Sequence, residues 1–211
     1  MGMVMGRLLF LFLVCFTITG CASSNILRLN PGLPSDVAFQ GARIRIDGVI
    51  TQDIADRVAD RLDRLPGGLV TIDLDSPGGE VGAALLIHNR LNASGRPVVT
   101  RVADGERCMS SCTLIFAVGD RRLSGPQARF RFHSPRYIGW FPLPGPAVGL
   151  IEGLTRRAMT AVYADASPAF ARYLVDPAVR ALDTREGVTL TGAALAARGD
   201  GYVTELMAPD N

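Results

Sequence analysis

The chain has 211 residues, of which 48% are hydrophobic, and a formal net charge of +2. That length and composition suit one globular domain with an extra segment. The charge is too small, and the arginines too evenly mixed with Asp and Glu, to predict a nucleic-acid partner; no basic run exceeds Arg121-Arg122 or Arg156-Arg157.

The first residues read as a targeting segment rather than as part of a fold. Arg7 supplies a weak positive start, and Leu8–Phe16 is an apolar stretch too short to span a bilayer as a helix. Ile18-Thr19-Gly20-Cys21 then resembles a bacterial lipobox, which implies a signal peptide over 1–20 and a diacylated Cys21 as the mature N-terminus. Acyl chains on Cys21 would hold the chain stably at a membrane, since each buried CH₂ contributes about 0.8 kcal/mol. Ala22 after that cysteine resembles the outer-membrane default of lipoprotein sorting. The expected setting is therefore the bacterial cell envelope, with the protein facing the periplasm. Residues up to 40 are rich in Ser, Asn, Pro and Gly, and read as a flexible tether ahead of a domain over 41–206.

Within that domain, Ala42–Ile50 alternates Ile44 and Ile46 with arginines, which predicts a strand. Thr51 is placed to cap a helix over Gln52–Leu65, with Ile54, Ala55, Val58 and Leu62 at helical spacing. Leu69–Leu74 reads as a strand parallel to the first, and Asp75-Ser76-Pro77-Gly78-Gly79 leads into a helix over Val81–Leu91. Pro97–Val102 is the next strand, Ser110–Gly119 a turn and an apolar helix, and Leu123 and Ala128–Phe132 are short strands. The Gly- and Pro-rich stretch Ile138–Gly149 predicts a loop before an amphipathic helix at Leu150–Ala164. Helices over Ser167–Val175 and Thr191–Ala197 and a last strand at Tyr202–Leu206 complete the pattern. Strands alternating with helices predict an α/β domain with a mostly parallel sheet.

Three segments carry chemistry. A strand ending in Ser-Pro-Gly-Gly before a helix leaves backbone N–H groups free to meet an oxyanion. Ser110 precedes a helix with its hydroxyl available, and the Ser111 N–H beside it is a second candidate donor. His133 ends a short strand. All 22 basic residues are arginine and there are two histidines, so a serine nucleophile here has His133 or His88 as its base and no lysine. His88 falls inside a helix and reads as structural. Of the four cysteines, the lipobox resemblance implies that Cys15 leaves with the signal and Cys21 carries lipid; Cys108 and Cys112 would then remain in a compartment that permits a disulfide. Their i,i+4 spacing allows one only if the segment turns rather than continuing as a regular helix. Two cysteines without a nearby histidine are too few for a metal site, and no cofactor is expected.

Taken together, Ile72–Gly79, Met109–Gly119 and Arg122–His133 resemble the Clp protease proteolytic subunit (ClpP) family in order and spacing, and Ile46–Ile50 resembles that family's first core strand and turn. The resemblance covers about residues 42–206 and is strongest over 70–134. It implies a ClpP/crotonase-type spiral of βαβ units, with Ser110 as nucleophile and His133 as general base. The Gly78-Gly79 turn and the Ser111 amide would be the oxyanion donors. The aspartate expected behind the histidine falls on Gly187; Glu186 and Asp183 are the nearby acids, and a dyad without an acid is the third option. The resemblance further implies a peptide or protein substrate and a homo-oligomer. The absence of lysine excludes, within one chain, the Ser–Lys dyad of signal peptide peptidase A. The Ser-then-His order is not that of the acyl-CoA enzymes sharing this fold. The competing expectation is a catalytically inactive scaffold or peptide-binding module. The loop Tyr137–Ala147, with Trp140 and Phe141, is open to three readings: lid, substrate contact or interface.

Overall fold

The computed structural model describes residues 36–40, 42–139 and 141–208. The expected signal peptide, Cys21 and Trp140 lie outside those residues.

Asp36–Gln40, expected to belong to the tether, forms strand β1. It runs antiparallel to β2 (Arg43–Asp47), with Val37 opposite Ile46, and the buried Val37 is what this pairing gains. Helix α1 (Gln52–Arg64) starts where Thr51 Oγ1 accepts the Ile54 N–H at 3.4 Å. It buries the predicted stripe of Ile54, Ala55, Val58 and Leu62. Strand β3 (Val70–Asp75) pairs parallel to β2, Ile44 opposite Ile72. Ile44, Ile46, Ile72 and Leu74 are all fully buried, each contributing about 1.5–3 kcal/mol. Helix α2 (Val81–Ala93) and strand β4 (Val98–Val102) complete a second βαβ turn.

Next comes a short strand that the sequence pattern does not announce, β5 (Arg107–Met109), then helix α3 (Cys112–Phe116). Strands β6 (Arg121–Ser124) and β7 (Arg129–Phe132) follow. Helix α4 spans Gly145–Ala166 and so begins before the predicted Leu150. Pro144 and Pro146 do not prevent this, because a proline in the first turn removes an N–H that has no helical partner anyway. Helix α5 (Pro168–Val175) is capped by Ser167, whose Oγ accepts the Phe170 N–H at 3.1 Å. Strand β8 (Val188–Thr191) precedes helix α6 (Gly192–Ala197), and Thr191 caps that helix on the Ala194 N–H at 3.1 Å. The final strand, β9, is Glu205–Leu206 only. Tyr202, expected in it, turns inward and is fully buried.

Two sheets result. The larger has the order β1-β2-β3-β4-β6-β9 and is parallel apart from β1. The smaller has the order β5-β7-β8, with β5 and β7 parallel and β8 antiparallel to β7. An isolated bridge between Ser76 and Cys108 joins the end of β3 to β5 and so ties the sheets together. Between the small sheet and helices α4 and α5 lies an aromatic core. Phe132 packs on Tyr163, Phe170 and Tyr202 with ring centroids 5.0–5.8 Å apart. Beside it, Arg122 is 8% exposed and its guanidinium donates to the carbonyls of Gly119, Ala166, Gly201 and Tyr202. Among the described residues no helix is long and apolar enough to cross a membrane.

Candidate active site

The small sheet brings the singled-out residues together. Ser110 follows β5 and His133 follows β7, neighbouring parallel strands in register Met109 to Arg131. Both side chains therefore leave the same end of the sheet, and both line one cleft of about 660 Å³. Gly79 lines it too, delivered by the turn after β3.

Ser110 has φ +54, a left-handed conformation that costs a non-glycine residue on the order of 1–2 kcal/mol. Several contacts hold it there. Its N–H donates to the Arg131 carbonyl at 2.8 Å, and its own carbonyl accepts from Thr113 N–H at 3.0 Å and Thr113 Oγ1 at 2.5 Å. Thr113 Oγ1 also meets the Tyr163 hydroxyl at 2.7 Å, and the Tyr202 hydroxyl donates to the Thr113 carbonyl at 2.9 Å. Cys108 and Cys112 form a disulfide across the turn, Cα atoms 5.2 Å apart, both cysteines fully buried. The segment turns between strand and helix, as that spacing requires. Ser111 is fully buried and its hydroxyl has no partner among the described residues, so of the two serines only Ser110 lines the cleft.

The oxyanion expectation needs one correction. The Gly78 N–H donates to Ser76 Oγ at 3.0 Å, so it is not a free donor. Gly78 has a steric task instead. At φ +92, a Cβ would lie 2.6 Å from the Met109 carbonyl and 2.7 Å from Ser110 Cβ, so only glycine lets the two turns touch. The N–H groups of Gly79 and Ser111 donate to nothing among the described residues. They stand on the two turns that meet at Gly78, where an added Cβ would come within 3.2 Å of the Ser111 nitrogen.

His133 is half-buried, and its Nδ1 lies 2.8 Å from the Ser134 carbonyl. A carbonyl only accepts, so Nδ1 carries the proton and Nε2 keeps its lone pair. Burial lowers the pKa of the imidazole below its usual value; the Ser134 carbonyl opposes this, and Arg131 and Arg136 lower it further. Neither candidate acid stands behind it. Asp183 is ion-paired with Arg156. The Glu186 side chain is exposed without a partner among the described residues, and its backbone carbonyl accepts from Arg131 Nε at 3.2 Å. Among the described residues neither carboxylate hydrogen-bonds His133: one is paired with Arg156 and the other faces solvent. Gly187 lies against His133, bringing no carboxylate. The sequence offers no signal for Ser134 as orienting group, because the acceptor is backbone. His88 is buried, and its Nδ1 donates to the Leu114 carbonyl at 3.0 Å, joining α2 to α3 away from the cleft. Among the described residues no group of three or more His, Cys, Asp or Glu side chains is placed to hold a metal.

The rest of the cleft comes from Pro77 and Glu80 on one turn and Val81 at the start of α2, Arg131 on β7, Ser134–Ile138 after it, Arg185 before β8, and Ile151, Glu152 and Thr155 on α4. Tyr137 N–H donates to Glu152 Oε1 at 2.8 Å, fastening the segment after His133 to α4.

Residues 35–139 match the Clp protease family. The chain is 31% identical over 85 residues to the ATP-dependent Clp protease proteolytic subunit 1 of Chlamydia caviae, covering 40% of this chain and 44% of that protein. It is 31% identical over 74 residues to the subunit of the same name from Chlamydia trachomatis, covering 35% and 38%. The matched part thus spans less than half the length of these curated relatives. Among solved structures, the ClpP1 N165D mutant from Listeria monocytogenes superposes with a TM-score of 0.64 at 19% identity, covering 81% of this chain and 93% of that one. In fold, and in the sequence of residues 35–139, the chain is ClpP-like.

Proposed function

We propose that the chain is a serine peptidase that hydrolyses peptide bonds without ATP. The observation that carries this reading is that a strained Ser110, a His133 with its Nε2 lone pair free and the Gly79 turn line one cleft, with the undonated Ser111 N–H on the turn directly after Ser110.

In the proposed reaction, Ser110 Oγ attacks the scissile carbonyl carbon while its proton passes to His133 Nε2. The Gly79 and Ser111 N–H groups meet the oxygen as it gains charge; one such donor is typically worth about 10²–10³ in rate. Collapse breaks the C–N bond, and the proton on Nε2 goes to the leaving amine. Water then attacks the acyl-serine, losing a proton to Nε2, and the acid product leaves as that proton returns to Ser110. Through both steps the Ser134 carbonyl holds the Nδ1 proton. A neutral dipole in place of a carboxylate orients the ring but stabilises the imidazolium less, so a modest rate is expected.

The test is hydrolysis of an unfolded protein or fluorogenic peptide by the purified full-length chain with no nucleotide present. Cleavage by the parent and its loss in Ser110→Ala and His133→Ala is the expected result. The second reading, an inactive peptide-binding module, is favoured by Gly187 where an acid was expected; it predicts binding with no turnover in the parent.

We also infer that Cys21 carries lipid and holds the domain at the cell envelope, facing the periplasm; the lipobox-like Ile18–Cys21 supports this. A Cys21→Ser variant that stays in the membrane fraction would remove the anchor from the account. Self-assembly is part of the same reading, supported by the exposed Leu150 and Leu154 on α4 and by the relatives being named as subunits. A solution mass of one chain would exclude it.

A further inference from the structure

Arg131, Arg136 and Arg185 line the cleft that holds Ser110 and His133. They arrive from three places: β7, the segment leaving it, and the turn before β8. Arg131 is held in place, its Nε and Nη2 donating to the carbonyls of Glu186 and Arg185 at 3.2 and 3.0 Å. Arg136 and Arg185 are exposed, and neither side chain has an ion-pair or hydrogen-bond partner among the described residues. Many arginines elsewhere meet carboxylates, as in Arg43–Asp73, Arg90–Asp63, Arg121–Glu205 and Arg156–Asp183, while Arg129, Arg157, Arg172 and Arg180, which have no such partner among the described residues, lie outside the cleft. The cleft has two carboxylates of its own, Glu80 and Glu152. Glu152 is taken up by the Tyr137 N–H, and Glu80 stands on the turn after β3, beside Gly79. Two guanidiniums therefore face the cleft with their donors unused, and a guanidinium fork matches a carboxylate in shape and charge.

We propose that the cleft takes peptides carrying a carboxylate next to the bond presented to Ser110, with Arg136 and Arg185 receiving it. The carboxylate is that of an acidic side chain or of the peptide's own C-terminus. The proposal rests on the peptidase reading for the word "bond"; as a binding preference it stands without it. The field of Arg131 and Arg136 already reaches His133, lowering its pKa, so a bound carboxylate would sit within electrostatic range of the base.

The experiment uses the full-length Ser110→Ala chain in detergent and fluorescein-labelled peptides titrated by anisotropy. The peptides differ only in Glu against Gln at one inner position, and in a free against an amidated C-terminus. The Glu or free-acid peptide is expected to bind about tenfold more tightly than its neutral match, the sum of two exposed ion pairs. Which of the two changes matters identifies the source of the carboxylate. The preference should shrink in Arg136→Gln and Arg185→Gln backgrounds and at high salt. Equal binding of all peptides, no binding of any, or a preference unmoved by both arginine changes overturns the proposal. Fluorophosphonate labelling of the parent is run alongside. Labelling with equal binding sinks the carboxylate preference alone; preference without labelling sinks the peptidase reading and leaves the preference standing.

Discussion

Gly187 is packed against His133: a Cβ added to it would fall 2.6 Å from His133 Cβ and 1.9 Å from the Phe132 carbonyl. The β7–β8 register, Phe132 opposite Val188, sets the two residues across from each other, and Gly187 has φ +59. A side chain here would meet both a backbone clash and a left-handed backbone. Gly187→Ala should cost about 2 kcal/mol in urea denaturation, and Gly187→Asp should cost no less while restoring no carboxylate to Nδ1. An unchanged midpoint for Gly187→Ala would mean that this turn relaxes freely.

With Nδ1 given to the Ser134 carbonyl, the two nearby acids should be dispensable. Glu186→Gln and Asp183→Asn are each expected to keep kcat/KM within about threefold, well under the orders of magnitude that a true triad acid supplies. A loss of a hundredfold in either would mean that the variant removed the group that orients His133.

Burial, Arg131 and Arg136 all disfavour the imidazolium of His133, so the base stays neutral below the ordinary histidine range. The acid limb of kcat/KM should accordingly lie under about pH 6.5. Arg136→Gln removes one opposing cation and should move that limb upward; a limb that moves down or stays fixed contradicts the electrostatic reading.

Stability follows the same sign. Burial also lowers the pKa of His88, against the pull of the Leu114 carbonyl and Asp165. The unfolded chain then binds protons more readily than the folded one. Stability is present above about pH 6.5 and is lost as pH falls through the depressed folded values. Denaturant midpoints should drop between pH 7.5 and pH 5, and less so in His88→Gln after allowing for its lost hydrogen bond. A flat profile would show that neither histidine is held neutral by the fold.

The Cys108–Cys112 disulfide closes a short loop around the left-handed Ser110. A loop of this size contributes about 2 kcal/mol by restricting the unfolded chain. The Cys108→Ala/Cys112→Ala double variant should lose about that much stability, and its Ser110 should react more slowly with a fluorophosphonate. An unchanged labelling rate would show that hydrogen bonds alone hold the turn.

Much of this was legible in the sequence. The stripe Ile54, Ala55, Val58 and Leu62 fixed α1, and the strand–Gly-Gly–helix pattern placed Gly79 at the cleft. Ser110 and His133 stood out because a lysine-free chain with two histidines has few bases to offer. What escaped had backbone causes. Strands β5 and β8 are three and four residues long, too short for alternation to register. The amide of Gly78 is taken by a serine side chain two residues earlier, and the orienting group on His133 is a carbonyl, which every residue possesses. The start of helix α4 is hidden in the sequence because prolines at 144 and 146 look like breakers until the first turn is located.

In the proposed function Ser110 Oγ, made nucleophilic by His133, is the reacting atom of the cleft. Mass mapping of a fluorophosphonate adduct on the purified chain tests it most directly. One adduct is expected, on the peptide containing Ser110, absent in Ser110→Ala and strongly slowed in His133→Ala. No adduct on the parent, or one that persists in Ser110→Ala, would contradict it.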